Sequence, residues 1–181
     1  MDEKRRRFEA QALPHLDAAY NLARWLARPP LEADDIVQEA MLRAFRAFDS
    51  LRGEDVKPWL LSIVRNCFLT ALARSKDRRH VPMPADDGVS ADPAFVADDP
   101  DPESAAIDAE RGRHLNLVIA SLPQDFRETL VLREMENLSY REIAEITGVP
   151  VGTVMSRLAR ARALLKEKCH LAVEGSAHAM Q

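Results

Sequence analysis

The fold is decided by Ser139-Tyr-Arg-Glu-Ile-Ala144-Glu-Ile-Thr-Gly148-Val-Pro-Val-Gly-Thr-Val154-Met-Ser-Arg-Leu-Ala-Arg-Ala-Arg162. Its spacing predicts two short helices around a tight turn. Ser139 caps the first helix, and Glu142 three residues on completes a capping box. Ala144 is small where two helices cross closely. Gly148 permits a left-handed backbone at the turn. Val149 tucks into the core behind it, and Val154 is the inner residue of the second helix. That helix spans about Val151–Lys168, and Val154, Leu158, Ala161 and Leu165 face inward at three- and four-residue steps. Gly152, Thr153, Met155, Ser156, Ala159 and Arg160 are left facing outward. Such a small, polar face can enter a major groove, with Arg157, Arg162 and Lys166 placed for phosphates. The alternative is a solvated basic face on an ordinary helix hairpin.

Outward from this hairpin the rest of the chain also reads as helical. Of the 181 residues 46% are apolar, only 6% are aromatic and six are Gly. That composition favours helices packed through Leu, Ala, Val and Ile. A first helix is predicted from about Arg7 to Ala27, with Phe8, Leu13, Leu16, Ala19, Tyr20, Ala23 and Leu26 inward, ended by Pro29-Pro30. A second runs from Glu32 to Phe48 on the stripe Ile36, Val37, Ala40, Met41, Ala44, Phe45 and Phe48. Asp34 and Asp35 suit its N-terminal dipole. After a loop around Gly53, Pro58 opens a third helix with Trp59, Leu60, Ile63, Val64, Cys67, Phe68 and Leu72 on its apolar side. It ends in Arg74, Lys76, Arg78 and Arg79.

Pro82, Pro84, Pro93, Pro100 and Pro102 then mark a linker. From Ala85 to Glu110 there are nine acidic residues and no Lys or Arg. A helix follows from near Glu103 to Ser121, with Ile107, Leu115, Val118, Ile119 and Leu122 as core, and another from Gln124 to Met135. The expected fold class is therefore all-α. Two small helical domains, 1–79 and 111–172, are joined by a flexible acidic linker, 80–110, with a flexible tail at 173–181. The formal net charge of −4 hides a basic end, since Arg157, Arg160, Arg162, Lys166 and Lys168 face only Glu167 between Val151 and Lys168.

Little suggests an enzyme. His15, His80, His114, His170 and His178 are scattered without ligand spacing, and no nucleotide-binding Gly-rich loop occurs. Cys169-His170 with His178 could bind a metal in a tail, but a lone cluster at a polar terminus is usually incidental, and no metal site is expected. Cys67 reads as buried packing. Two distant cysteines, no signal peptide and no apolar run of membrane-spanning length point to a cytoplasmic protein without membrane insertion.

Leu138-Ser-Tyr-Arg-Glu-Ile-Ala144 with Gly152–Arg162 resembles region 4 of extracytoplasmic-function sigma factors. Asp34-Asp-Ile-Val-Gln-Glu39, with Phe45 and Phe48, resembles region 2.2. Pro58-Trp-Leu-Leu-Ser-Ile-Val-Arg-Asn66 resembles regions 2.3 and 2.4. The resemblance spans nearly the whole chain in the right order, and it implies a sigma factor rather than an enzyme, with no cofactor. Core RNA polymerase would be its partner through the β′ clamp helices and the β flap, with promoter DNA and an anti-sigma factor. Asp35, Gln38, Glu39, Leu42 and Arg43 would dock on the clamp. Ser50, Arg52, Trp59, Arg65, Asn66 and Arg74 would handle the −10 element, where melting requires bases held outside the stack. Trp59 reads as core or as base platform, and Asn66 equally as a satisfied interhelical group. Met155, Ser156, Ala159 and Arg160 would read −35 bases, with Thr153 and Arg157 on phosphates. Met155 stands where many members carry Lys or Arg, and Thr70 where many carry Asp. The acidic linker would run near the polymerase cleft or act as a solubilising tether. The rival readings are a free-standing dimeric operator binder and a sigma-like decoy.

Overall fold

The computed structural model describes residues 2–28, 31–51, 55–78 and 112–178. All regular structure among them is helical. The order is α1 (Asp2–Ala12), a 3-10 turn (Leu13–His15), α2 (Leu16–Leu26), α3 (Ala33–Ala47) and α4 (Val56–Arg78). Then come α5 (112–120), α6 (Gln124–Leu130), α7 (Tyr140–Thr147) and α8 (Val151–His178). The linker 80–110 and Arg52, Arg79, His80 and Ile107 lie outside the described residues.

The single N-terminal helix expected from Arg7 to Ala27 is two helices. Pro14 has no N–H to continue the α ladder, and the chain tightens into a 3-10 turn there. The break shifts the inward face. Phe8, Ala19, Ala23 and Leu26 are buried as predicted, but Leu13, Leu16 and Tyr20 are exposed, and Ala12 and Leu22 are buried instead. Helices α2, α3 and α4 then close a core of Leu22, Leu26, Ala40, Ala44, Phe48, Leu60, Leu61, Val64 and Phe68. Phe8 stands edge-on to both Phe45 and Phe48, with ring centroids 5.3 Å apart in each pair, an arrangement favoured by the ring quadrupoles.

In the C-terminal half, Leu122, Leu130, Val131, Leu132, Ile143, Val154, Leu158 and Ala161 are buried. Leu115, expected in this core, is exposed. The predicted helix Gln124–Met135 changes pitch, with Val131–Met135 forming a π turn. Asn137 follows at φ 56, a conformation Asn tolerates better than most residues. Helix α8 continues past Lys168 to His178, into the segment expected as a tail. Arg127 is buried, and its Nη1 donates to the carbonyls of Ala120 and Leu122. A second donor, Arg28 of the N-terminal half, reaches the Ala120 carbonyl. Two cations thus satisfy carbonyls left open where α5 ends. Burial and the nearby Arg28 lower the Arg127 guanidinium to about 10, so it is charged at neutral pH.

The two halves are in contact. Helix α4 packs against α7, and α2 against α6. One continuous cluster of buried apolar side chains includes residues of both halves.

Candidate nucleic-acid interface and docking face

The hairpin around Gly148 has the turn chemistry its sequence implies. The Ser139 hydroxyl accepts from the Glu142 N–H at 3.3 Å, and the Glu142 carboxylate accepts from the Ser139 N–H at 2.6 Å. Gly148 has φ 70, and its N–H donates to Ala144 O at 2.8 Å. Space does not require glycine here, because nothing lies within 4 Å of where a Cβ would stand. The left-handed backbone does. Ser139→Ala should cost about 1 kcal/mol, the usual worth of such a cap. Urea denaturation of the full chain would measure it, and an unchanged midpoint would contradict it.

With Val154, Leu158 and Ala161 anchoring α8, Met155, Ser156, Ala159 and Arg160 are all exposed on its outer side, and Thr153 is half-buried. The Ser156 hydroxyl donates to Thr153 O at 2.9 Å. Arg157 is held at 2.6 Å by Asp125 of α6, and Arg162 at 2.5 Å by Glu134. Both cations flank the open face, tied to acids that exposed phosphates would have to displace.

On α3, Asp35, Gln38, Glu39 and Leu42 are exposed at positions that share one helix face. Arg43 pairs with Glu39 at 2.6 Å. Arg74, Cys67 and Thr70 of α4 line a groove with Asp35, Glu39 and Arg43. Thr70 satisfies itself by donating to Asn66 O at 2.8 Å. Cys67 is buried, and burial raises its thiol above the ordinary value, which suits packing rather than reactivity. Among the described residues no cluster of His, Cys, Asp and Glu could hold a metal. The side chains of His170 and His178 lie outside the described residues.

The −10 set is only partly brought together. Asn66 and Arg74 are exposed on α4, and the Ser50 hydroxyl donates to Ala47 O. Trp59 is half-buried and leans on Phe48, with centroids 6.3 Å apart, so one ring serves both core and surface. Arg65 points elsewhere. Its Nε donates at 2.7 Å to Glu128 of α6, which is 2% exposed. Nearby, Lys57 pairs with Glu136 at 3.0 Å and also donates to the Glu136 carbonyl at 2.8 Å, while Asn21 donates to the Glu136 carboxylate at 2.7 Å. Sequence reading missed Glu128, Glu136 and Asn21, whose partners are distant in the chain.

Burial raises the Glu128 carboxyl, a rise the Arg65 charge and hydrogen bond only partly offset. Glu128 therefore holds its proton more tightly in the folded chain than in the unfolded one. Its contribution to folding stability is fully present below the ordinary glutamate value of roughly 4.3 and is lost as pH climbs through the raised value. Moving from pH 7 to pH 5 should therefore leave that contribution undiminished. Urea denaturation against pH, with Glu128→Gln alongside, measures this, and a loss of stability on mild acidification that Glu128→Gln lacks would contradict it.

Residues 13–79 match the family model Sigma-70 region 2, and residues 114–165 match Sigma-70, region 4. The chain belongs to the sigma-70 family. It is 37% identical over 152 residues to the ECF RNA polymerase sigma-E factor of Haemophilus influenzae, covering 81% of this chain and 78% of that protein. It is 36% identical over 154 residues to the ECF RNA polymerase sigma factor SigE of Mycolicibacterium smegmatis, covering 84% of this chain but 58% of that protein. These relatives place it in the extracytoplasmic-function group. The sigma factor RpoE in complex with the anti-sigma factor NepR, from Bartonella quintana, superposes with TM-score 0.72 at 27% identity, over 90% of this chain and 96% of that one. CnrH in complex with the cytosolic domain of CnrY shares the fold, with TM-score 0.61 at 23% identity over 92% and 90%. Among the described residues no helix is long and apolar enough to cross a membrane.

Proposed function

We propose that this chain binds core RNA polymerase in the cytoplasm and directs it to a subset of promoters. One observation carries the reading: a single chain presents an exposed α3 face and an exposed α8 face, on two halves that match regions 2 and 4. A free-standing operator binder has no use for the first. In this reading Asp35, Gln38, Glu39, Leu42 and Arg43 dock on the β′ clamp helices, and region 4 meets the β flap. Ser50, Arg52, Trp59, Arg65, Asn66 and Arg74 engage the −10 strand. Met155, Ser156, Ala159 and Arg160 read the −35 duplex, with Thr153 and Arg157 on its backbone. The modest basic face on α8 fits, because the polymerase shares the binding energy. The likeness to a sigma factor solved with an anti-sigma factor supports a partner of that kind here. The test is transcription in vitro with core enzyme over a promoter library. Promoter-dependent initiation is expected, and no initiation together with no binding to core would sink the reading.

A further inference from the structure

The cations of α8 differ in their partners. Helix α6 runs against α8, and Asp125 of α6 and Glu134 of the π turn after it reach the flank of α8. Arg157 donates through Nη2 to Asp125 at 2.6 Å. Arg162 donates through Nε and Nη2 to one Glu134 oxygen, at 3.2 and 2.5 Å. Among the described residues Arg160 and Lys166 have no acid within ion-pair distance. The arginines that flank the open face are thus neutralised from within, and the arginine on the face itself is not. Both acids stand in solvent, with side chains 57% and 48% exposed, so burial does not lock either pair.

Carboxylate and phosphate oxygens bind a guanidinium through the same kind of charge-assisted hydrogen bond. One N–H edge cannot serve both. DNA binding at this flank is therefore an exchange. The arginine gives up its carboxylate, and the acid is left beside the phosphate backbone, where like charges repel. The exchange discounts phosphate attraction, which supplies essentially all sequence-independent binding. Contact with base edges, which carries the sequence, bears no such discount at Arg160.

Resting on the −35 reading proposed above, we infer that Asp125 and Glu134 stand in for DNA phosphates on Arg157 and Arg162, and so hold down sequence-independent duplex binding while Arg160 stays available to read bases. The strength of the pairs suits this role. An exposed ion pair shifts an equilibrium by only about 1.5- to fivefold. Two such pairs thin out binding to DNA at large, where phosphates are all that attract. They are weak enough for a promoter complex to override, since base contacts and the polymerase add energy there. The acids act through the two arginines, so their effect depends on those side chains and not on net charge alone.

The experiment uses the full chain with Asp125→Asn and Glu134→Gln, singly and together. Each substitution removes a charge and keeps the side-chain shape, and circular dichroism with thermal melting establishes that each variant is folded. Fluorescence anisotropy follows binding to a labelled duplex of mixed sequence as salt is raised. At low salt each variant should bind about 1.5- to fivefold more tightly than the parent chain, and the double variant by roughly the product of the two. The advantage should fade as salt rises, because salt already loosens the pairs in the parent chain. In an Arg157→Ala background Asp125→Asn should lose most of its effect, and Glu134→Gln likewise in an Arg162→Ala background. Tightening of equal size with and without the arginines would make the acids a matter of net charge and overturn the inference. No tightening at all would overturn it too. Arginine-dependent tightening in a chain that neither binds core nor supports initiation would leave the inference standing and overturn the sigma reading instead.

Discussion

Phe48→Ala should cost about 3–5 kcal/mol, the range for emptying a buried aromatic site. Phe48 is 1% exposed and ends α3 as the helix tightens into a 3-10 turn. Its ring meets Phe8 of α1 edge-on, tilts against Trp59 of α4, and lies 5.6 Å below the Arg7 guanidinium. The substitution therefore removes hydrophobic burial, two aromatic contacts and a cation-π contact together. Neighbours from three helices cannot collapse into the space without moving the helices. Trp59, Ser50 and the exposed α3 face all depend on that packing for their positions. Thermal or urea melting should show the loss, and binding to core should weaken although Phe48 touches no partner. A cost below about 1 kcal/mol would mean that the site refills, and the arrangement of α1, α3 and α4 would need revision.

What the sequence made legible was local. The turn at Gly148 and the cap at Ser139 were readable because each requirement is met within four residues. The α3 stripe was readable because nothing interrupts its period. The first helix misled because the apolar pattern continues through Pro14 while the backbone does not. Leu13, Leu16 and Tyr20 kept a plausible spacing, but the 3-10 turn rotated them outward and brought Ala12 and Leu22 in. Leu115 kept the spacing of a core residue, but α5 presents it outward. The inter-half pairs left no signal at all. Arg65 and Glu128 are 63 residues apart, and Lys57 and Glu136 are 79 apart. A charged residue on an amphipathic helix is normally solvated, and only tertiary contact turns it inward. For the site, the helical period made the exposed positions on α3 and α8 legible, although Arg43 and Thr153 are half-buried. It could not foresee that Arg65 would be occupied from within.

Arg160→Ala separates base reading from general attraction. Arg160 is exposed on the outer side of α8 beside Ser156 and Ala159, away from the anchors Val154, Leu158 and Ala161. Truncation should therefore leave stability within about 0.5 kcal/mol, as for ordinary surface positions. If Arg160 makes a base contact, the holoenzyme should lose about 1–3 kcal/mol of discrimination at one −35 position, roughly ten- to a hundred-fold. Arg157→Ala provides the contrast. Arg157 is tied to Asp125 and sits at the edge of the face, where a phosphate contact would weaken all promoters similarly and reduce the salt dependence. Met155→Arg tests the remaining position. Met155 is 53% exposed at the same face and offers no ionic contact, so adding a cation should strengthen −35 binding or redirect its preference. The readout is abortive initiation across single-base −35 variants. A uniform loss across that set for Arg160→Ala would reassign Arg160 to the backbone. No loss at all would remove α8 as the reading helix.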